Sequence, residues 1–483
     1  MNYKMIWYIM GQIFKVEAVF MAVSLVVSLI YGENLFLAFG IPVLALLAIG
    51  HLLTLKKPAK RTFFAKEGFF VVGLSWFILS LFGALPFVIS GQVPSFIDAF
   101  FETASGFTTT GASVISDVEA LSHGLLFWRS FTHWIGGMGV LVFVLAIFPE
   151  QETQSIYLMK AESPGPKVGK IVSKLRITAR ILYGIYIAMT LIEFILLVCG
   201  GMSVFDSLVN SFATAGTGGF SVKNAGIGAY GSAYCEYVIS AFMILFGVNF
   251  NVFYLILIGK VKDAIKSEEL KVYLGVVFSS VVLISAVNMI NKVEGFATVG
   301  GAARYSLFQV ASIISTTGFA TADFATWPTF SQVLLVILMF LGACAGSTGG
   351  GTKIARFIIM IKSGIAELKR CISPNSVISV KFEGKPLESD VLRSTNGYFV
   401  AYFSVLALSM IAVSFDGLDF TSTFTGVLAC LNNIGPALSE LGPTKNFASL
   451  SVLSKLVLSF DMIAGRLELF PVLLILSPKT YRR

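Results

Sequence analysis

Ten apolar stretches separated by polar or basic segments dominate the 483-residue sequence. A helix needs about 20 residues to cross the roughly 30 Å hydrocarbon core of a bilayer. The stretches lie at 17–31, 35–55, 67–90, 125–149, 181–201, 233–259, 272–290, 330–361, 398–415 and 448–477. The first is short and is expected to extend back to Ile6. The pattern predicts an all-α polytopic membrane protein with ten transmembrane spans.

The composition excludes the soluble classes of protein. Charged residues make up 13% of the chain and hydrophobic residues 56%, whereas an average soluble domain is about 25% charged. Five scattered cysteines and three histidines give neither a disulfide framework nor a zinc site. The net charge of +8 is read as basic loops beside a membrane and does not indicate binding to nucleic acid.

Basic residues concentrate on one side of the predicted bundle. The N-terminal segment, the connections 2–3, 4–5, 6–7 and 8–9, and the C-terminal tail together hold 28 of the 35 Lys and Arg residues. Because basic residues concentrate in cytoplasmic loops, both termini are predicted to be cytoplasmic. This orientation requires an even number of spans.

The four connections on the opposite side resemble one another. Each carries an apolar run too short to span, which is typical of a re-entrant segment. They read SFIDAFFETASGFTTTGASV, SVFDSLVNSFATAGTGGFSV, AARYSLFQVASIISTTGFAT and DFTSTFTGVLACLNNIGPAL. The chain is therefore interpreted as four tandem repeats of helix, re-entrant loop and helix around one pore, after a two-helix hairpin. The predicted boundaries are 1–58 for the hairpin and 59–170, 171–266, 267–375 and 376–483 for the repeats.

Non-helical backbone at membrane depth is tolerated where it is buried in protein or lines a water-filled cavity. Four such turns on one axis can present rings of carbonyl oxygens that replace the hydration shell of a cation. Oxygen ligands suit alkali ions, whereas transition metals prefer His or Cys. The predicted K⁺ filter consists of Thr109, Thr110, Gly111, Thr217, Gly218, Gly219, Thr316, Thr317, Gly318, Asn433, Ile434 and Gly435. The alternative for any single copy is an ordinary extracellular turn.

The eighth apolar stretch contains a run of small residues that cannot hold a stable helix. The run is Gly346, Ser347, Thr348, Gly349, Gly350 and Gly351. We interpret it as an intramembrane gating loop below the filter, with a packing interruption as the alternative. Arg466 lies inside the tenth stretch, and its expected partners are carbonyls of this loop, Asp461 or Glu468. A purely structural ion pair is the alternative for Arg466.

Other charged residues give weaker signals. Six carboxylates are expected around the outer mouth, either to concentrate cations or as solvated loop charges. They are Asp98, Glu102, Asp117, Glu119, Asp323 and Glu440. Arg129, His133 and Trp134 at the start of the fourth stretch are interpreted as interfacial anchors and packing residues.

A membrane-embedded enzyme is the alternative from a different functional class. Such an enzyme would need clustered His, Asp, Glu or Cys within its spans. The spans offer no convergent pair of such residues, and the sequence lacks GxSxG and HExxH motifs. The sequence therefore predicts no enzymatic activity.

Seven motifs give the sequence a family resemblance. They are TTTGAS at 108–113, WRSFTHWIGGMG at 128–139, TGGFS at 217–221, STTGFAT at 315–321, GACAGSTGGGTK at 342–353, NNIGPALS at 432–439 and GRLELFP at 465–471. With these motifs the chain resembles the TrkH/KtrB/HKT superfamily of potassium transporters over essentially its whole length. The two-helix prefix makes it most similar to the TrkH branch. The fourth turn, with Asn433 and Ile434, departs most from a Thr-rich filter.

The resemblance implies K⁺ uptake, possible passage of Na⁺ or Rb⁺, and gating at the Gly-rich loop. It also implies a homodimer in the bacterial inner membrane and a cytosolic, nucleotide-binding regulatory ring of the TrkA type. No cofactor is expected on this chain, and K⁺ is the bound and transported ion. A Na⁺- or H⁺-coupled symporter remains the alternative mechanism. The repeats have parallel topology and an outward filter, which favours a channel-like pathway over an inverted-repeat carrier.

Overall fold

The computed structural model of the chain describes residues 1–58, 65–139, 175–376 and 378–478. The regular secondary structure in this part of the chain is helical apart from one two-stranded antiparallel hairpin. The helices are α1 (Tyr3–Ile30), α2 (Phe36–Thr54), α3 (Ala65–Gly83), α4 (Leu85–Ile89), α5 (Phe96–Phe107), α6 (His123–Gly137), α7 (Leu175–Cys199), α8 (Val204–Ala215), α9 (Ala233–Phe246), α10 (Phe250–Leu257), α11 (Val261–Lys266), α12 (Glu268–Ile290), α13 (Val299–Ile314), α14 (Thr329–Leu341), α15 (Ile354–Ile372), α16 (Ser389–Val413), α17 (Phe420–Leu431), α18 (Val452–Arg466) and α19 (Phe470–Leu476). The strands are β1 (Lys381–Phe382) and β2 (Lys385–Pro386). This architecture agrees with the predicted helical membrane class.

Six helical segments among the described residues are long and apolar enough to cross a bilayer. They are Tyr3–Ile30, Phe36–Thr54, Lys66–Ile89, Ala179–Cys199, Glu268–Ile290 and Ser389–Asp416. A seventh span results if α9 and α10, which bend by 91° at the break between them, are taken together. Many of their large apolar side chains are exposed, as expected for surfaces that face lipid.

The remaining predicted spans are interrupted or only partly described. The stretch 330–361 breaks between α14 and α15, and 448–477 breaks between α18 and α19. The stretch 125–149 begins with α6, but its residues from 140 onward lie outside the described ranges. The number of ten spans and the repeat boundaries therefore stay predictions. The boundaries at 58/59 and 170/171 also lie at or within undescribed segments.

Four short helices, α5, α8, α13 and α17, occupy the predicted re-entrant segments. Each begins at a residue whose side-chain oxygen accepts a hydrogen bond from a first-turn N–H, which satisfies one of the unpaired donors there. The capping residues are Ser95, Ser203, Thr298 and Asp419. The short helices pack against the longer ones, and most of their residues are buried. Their C-terminal ends therefore lie inside the molecule.

The N-terminal hairpin of α1 and α2 is held by glycine at the helix crossing. A Cβ atom at Gly11 would lie 3.0 Å from the carbonyl oxygen of Gly50, and one at Gly50 would lie 2.8 Å from that of Gly11. Small residues of this kind let helix backbones approach closely within a membrane. The hairpin then packs through α1 against α3 and α6.

Candidate cation-binding site

All four short helices end in the same backbone turn. One residue past the helix cap, the chain enters the left-handed region at a residue other than glycine, and two positions later it does so again at a glycine. The first set is Thr109, Thr217, Thr316 and Asn433, with φ of 55°, 55°, 62° and 56°. The second set is Gly111, Gly219, Gly318 and Gly435, with φ of 81°, 77°, 82° and 92°.

The hydrogen bonds of the four turns are equivalent. In the first turn, Thr109 N–H donates to the Gly106 carbonyl at 3.1 Å and Thr110 N–H to the Ser105 carbonyl at 2.8 Å. This is a Schellman motif, which satisfies the last carbonyls of a helix. The corresponding second bonds are Gly218 N–H to Ala213 O at 2.8 Å, Thr317 N–H to Ser312 O at 2.9 Å and Ile434 N–H to Ala429 O at 2.9 Å.

A β-branched residue in the left-handed region is a backbone outlier, and three of the four turns place a threonine there. Such a conformation costs on the order of 1–3 kcal/mol and persists where surrounding structure enforces it. The four residues at this position are fully buried. Repetition of the same strained turn in four places indicates a shared functional constraint on the backbone.

The turns meet in a closed ring. A Cβ atom added to Gly111 would overlap the carbonyl oxygen of Gly218 in the second turn. A Cβ atom at Gly219 would likewise overlap the carbonyl oxygen of Thr317 in the third turn, and one at Gly318 would overlap that of Ile434 in the fourth. A Cβ at Gly435 would lie 2.7 Å from Thr110 O and so closes the ring. The bare α-carbons of these glycines therefore allow the four backbones to approach one another.

The structure thus brings all twelve predicted filter residues together. The ring offers backbone carbonyls and threonine hydroxyls, a set of oxygens suited to an alkali cation. The C-terminal ends of the four short helices point toward it and contribute partial negative charge. The assignment of individual residues as K⁺ ligands stays a prediction.

The Gly-rich segment between α14 and α15 lies against the ring. Gly350 N–H donates to the Thr316 hydroxyl at 2.6 Å. A Cβ at Gly349 would lie 2.8 Å from Ser315 O, and one at Gly350 would lie 2.6 Å from Asn432 O. The predicted loop, with Gly346, Ser347, Thr348 and Gly351, therefore contacts the third and fourth turns on the side where the short helices end.

Arg466, at the end of α18, connects this loop to another part of the bundle. Its Nη1 donates to the Thr348 carbonyl at 2.7 Å. Its Nη2 donates to the carbonyls of Gly136 at 2.5 Å and Gly137 at 2.8 Å at the end of α6. The expected contact with loop carbonyls is present, and the α6 carbonyls are additional partners that sequence reasoning missed.

The start of the loop is fixed by α12 and by the break between α9 and α10. The Glu269 carboxylate accepts a hydrogen bond from Ala345 N–H at 2.6 Å. Phe250 N–H donates to the Gly346 carbonyl at 3.0 Å. At the end of the loop, the buried Lys353 ammonium donates to the Gly349 carbonyl. These contacts hold an irregular backbone segment in one conformation.

A buried ion pair behind the ring was not foreseen. Glu102, expected at the outer mouth, is 1% exposed and pairs with Arg129 Nε at 2.6 Å. Glu102 also accepts from Val114 N–H at 3.0 Å, and Arg129 Nη1 donates to Ser221 O at 3.0 Å. The pair therefore joins the segments that follow the first and second turns. Arg129 is not the interfacial anchor that its position at a helix start indicated, because a partner carboxylate and carbonyl allow its burial.

Of the other predicted mouth carboxylates, Asp117 and Glu119 are exposed and bind the segment after the second turn. Asn224 Nδ2 donates to Asp117 at 2.8 Å, and Lys223 Nζ lies 3.1 Å from Glu119. The Asn224 side chain holds the pKa of Asp117 below its ordinary value, and hydrogen bonds from the Asn224 backbone and Lys223 lower the pKa of Glu119. Asp98 instead pairs with Lys455 at 2.7 Å.

Comparison with known proteins gives consistent matches over the chain. The family model described as TrkH, cation transport protein, matches residues 37–480. The Trk system potassium uptake protein TrkH of Escherichia coli (strain K12) is 37% identical over 486 residues and covers 100% of both chains. TrkG of the same strain, also named a Trk system potassium uptake protein, is 33% identical and covers 94% of this chain and 93% of its own.

A solved structure has the same fold. The crystal structure of the potassium transporter TrkH from Vibrio parahaemolyticus superimposes with a TM-score of 0.89 at 32% sequence identity. The match covers 100% of both chains.

Proposed function

The chain belongs to the TrkH family of cation transport proteins, and on that premise we propose that it conducts K⁺ through the ring of four turns. It is the membrane component of a Trk-type potassium uptake transporter and not an enzyme. The finer proposal is a channel-like pathway with a selectivity filter at the ring. The observation that carries it is the closed contact of Gly111, Gly219, Gly318 and Gly435 with the carbonyls of neighbouring turns.

A ring of this construction can discriminate among cations because its oxygens replace water ligands at fixed positions. Each turn is held by two backbone hydrogen bonds to its own short helix, so the carbonyl positions are set before an ion arrives. Preorganised ligands avoid the cost of ordering them on binding. We infer that Na⁺ and Li⁺, which are smaller, are bound less well than K⁺ or Rb⁺.

The proposed gate is the segment Gly346–Gly351 with Arg466. The support is that the segment contacts the third and fourth turns and that Arg466 joins it to the end of α6. A cation beside an ion path also raises the barrier to a passing cation. Opening would require Thr348 to separate from Arg466.

Regulation is proposed to come from the cytoplasm, through a nucleotide-binding partner of the TrkA type. A chain of contacts supports a route from that side to the gate. The Glu383 carboxylate, between β1 and β2, accepts from the N–H groups of Glu268 and Glu269 at 3.0 Å each. Glu269 in turn holds the loop at Ala345. The proposed setting is a homodimer in the bacterial inner membrane, with both termini cytoplasmic.

A coupled K⁺ symporter is the second candidate, and one observation favours it. The carboxyl groups of Glu17 and Asp461 are buried, and within the described ranges both Glu17 oxygens and Asp461 Oδ2 have no hydrogen-bond partner. Intramembrane carboxyl groups of this kind serve proton relays in transporters. Single-channel recording separates the two candidates, because a channel gives unitary currents whereas a carrier gives slow flux accompanied by H⁺ or Na⁺.

The test of the proposed function is ⁸⁶Rb⁺ uptake into proteoliposomes that contain the purified chain. K⁺ should compete strongly with ⁸⁶Rb⁺, while Na⁺, Li⁺ and NH₄⁺ should compete less. Protein-free liposomes provide the background. Absence of K⁺-sensitive uptake, or equal competition by K⁺ and Na⁺, would count against a potassium-selective ring.

A further inference from the structure

The second turn differs from the other three at the residue before its ring glycine. That position holds Thr110, Thr317 and Ile434 in the first, third and fourth turns but Gly218 in the second. In the first and third turns the threonine hydroxyl bonds to a hydroxyl two residues earlier, Thr108 at 2.8 Å and Ser315 at 2.7 Å. The second turn has glycine at both of these positions, Gly216 and Gly218, and so cannot form this hydroxyl–hydroxyl hydrogen bond.

The imidazole of His133, on α6, lies where the missing side chain would be. A Cβ atom at Gly218 would overlap the His133 ring, and one at Gly216 would overlap the His133 carbonyl. His133 is fully buried, and its ring centroid lies 4.2 Å from that of Phe220. The absence of side chains at Gly216 and Gly218 therefore leaves the space that His133 of α6 occupies.

The two ring nitrogens of His133 join the first turn to the second. Nδ1 lies 2.8 Å from the carbonyl oxygen of Gly106, which is the carbonyl that also accepts from Thr109 N–H. Nε2 accepts from the N–H of Phe220, the residue after Gly219, at 3.3 Å. A carbonyl can only accept and an N–H can only donate, so the proton must lie on Nδ1 and the imidazole must be neutral.

From these contacts we propose that His133 is a positioning residue for ion selectivity. From α6, it supplies the stabilising side-chain contact that the second turn lacks. The proposal rests on the proposed function of the ring. His133 lies behind the backbone and sets the Gly218 carbonyl indirectly. Removal of the imidazole would leave Phe220 N–H without its acceptor and open a space beside Gly218. The second turn could then shift relative to the other three.

The structure makes a specific prediction about the pair His133 and Gly218. Gly218→Ala in the wild-type background places a methyl group in the imidazole, so K⁺-sensitive ⁸⁶Rb⁺ uptake should fall by about tenfold or more. The double variant His133→Ala/Gly218→Ala removes the overlap and should recover part of that loss. Such non-additivity is the signature of two residues in direct contact.

The experiment measures ⁸⁶Rb⁺ uptake into proteoliposomes and the Na⁺ and K⁺ concentrations that halve it. His133→Ala should lower the K⁺ over Na⁺ preference by about tenfold, since a buried backbone donor loses its acceptor. His133→Asn, which keeps a donor near the position of Nδ1 but lacks Nε2, tests the Phe220 bond if the alanine variant does not fold. It should retain uptake and still lose preference. His51→Ala, at an exposed position in α2, is the matched control and should behave as wild type.

The outcomes separate the two proposals. Wild-type protein without K⁺-sensitive uptake would reject the function of the ring itself. Selective wild-type uptake together with unchanged preference in His133→Ala and His133→Asn would reject only the role of His133. Equal effects of Gly218→Ala with and without His133 would also reject it, because the imidazole would then not be what the methyl group meets.

Discussion

Arg466 donates a hydrogen bond from Nη1 to the carbonyl oxygen of Thr348 at 2.7 Å, across 118 residues of sequence. The other arm of the guanidinium binds Gly136 O and Gly137 O. One side chain therefore fastens the Gly-rich loop to the end of α6. Its planar guanidinium spreads its donors over three nitrogens in a fixed geometry, whereas the donors of a lysine ammonium all lie on one atom.

Replacement of this arginine should open the pathway. A hydrogen bond to a charged group contributes about 1.5–3 kcal/mol, and each 1.4 kcal/mol changes an equilibrium by about tenfold. Arg466→Ala should therefore raise basal ⁸⁶Rb⁺ flux of the isolated chain by about tenfold. Arg466→Lys should have a smaller effect, and Arg393→Ala, at an exposed site, should have none. Unchanged flux in folded Arg466→Ala protein would reject the gating role.

The carboxylate of Glu269 is a second side chain that restrains the Gly-rich loop. Glu269→Ala removes the acceptor for Ala345 N–H and should raise basal flux several-fold, because the loop loses an anchor worth about 1–3 kcal/mol. Glu269→Gln keeps an amide oxygen at the same reach and should stay near wild type. Glu294→Ala provides a control at an exposed carboxylate. Equal flux in the Ala and Gln variants would mean that the contact does not restrain the loop.

The ring glycines should tolerate no side chain. Gly318→Ser adds a Cβ that overlaps Ile434 O and forces a left-handed residue with φ of +82° to carry a side chain. We expect K⁺-sensitive ⁸⁶Rb⁺ uptake to fall by about tenfold or more, or its preference over Na⁺ to disappear. Gly364→Ser, where a Cβ meets no atom of the described residues within 4 Å, should retain normal uptake. Wild-type uptake and preference in Gly318→Ser would contradict the tight ring.

The buried pair Glu102 and Arg129 should matter for stability. Removal of one partner leaves an uncompensated charge, a change that costs about 3–5 kcal/mol in buried pairs. Arg129→Met should therefore lower the thermal midpoint of the detergent-solubilised protein far more than Glu102→Gln/Arg129→Met, in which neither charge remains. Intrinsic fluorescence during heating measures both. Similar thermal midpoints for the single and double variants would show that an unpaired buried charge is not the cause of the lower stability.

Periodic features of the sequence were sufficient to predict the helical membrane class and the positions of the four short helices. Apolar length indicated the long helices, and the four similar segments indicated α5, α8, α13 and α17 with their terminal turns. Both signals are local, because they depend on hydropathy and on glycine at a fixed distance from a short helix. The contact of Arg466 with the loop was also foreseen, since an intramembrane cation needs nearby oxygens.

Contacts between residues far apart in the chain could not be predicted from the sequence. Glu102 looked like a mouth carboxylate because its partner, Arg129, lies 27 residues away on another helix. His133 looked like a packing residue because its partners belong to two different turns. One signal was available: the second turn has glycine where the first and third turns have hydroxyl side chains, which implies that another side chain fills the space. Tertiary packing determines which residue does so.

The most direct measurement is anomalous diffraction from crystals of the chain grown in Rb⁺. If the ring binds K⁺, an anomalous peak should lie on its axis, surrounded by the carbonyl oxygens of Thr110, Gly218, Thr317 and Ile434. The peak should weaken when K⁺ replaces Rb⁺ and should persist at equal Na⁺. An empty ring at saturating Rb⁺, or Rb⁺ bound only elsewhere, would show that the four turns do not form a cation site.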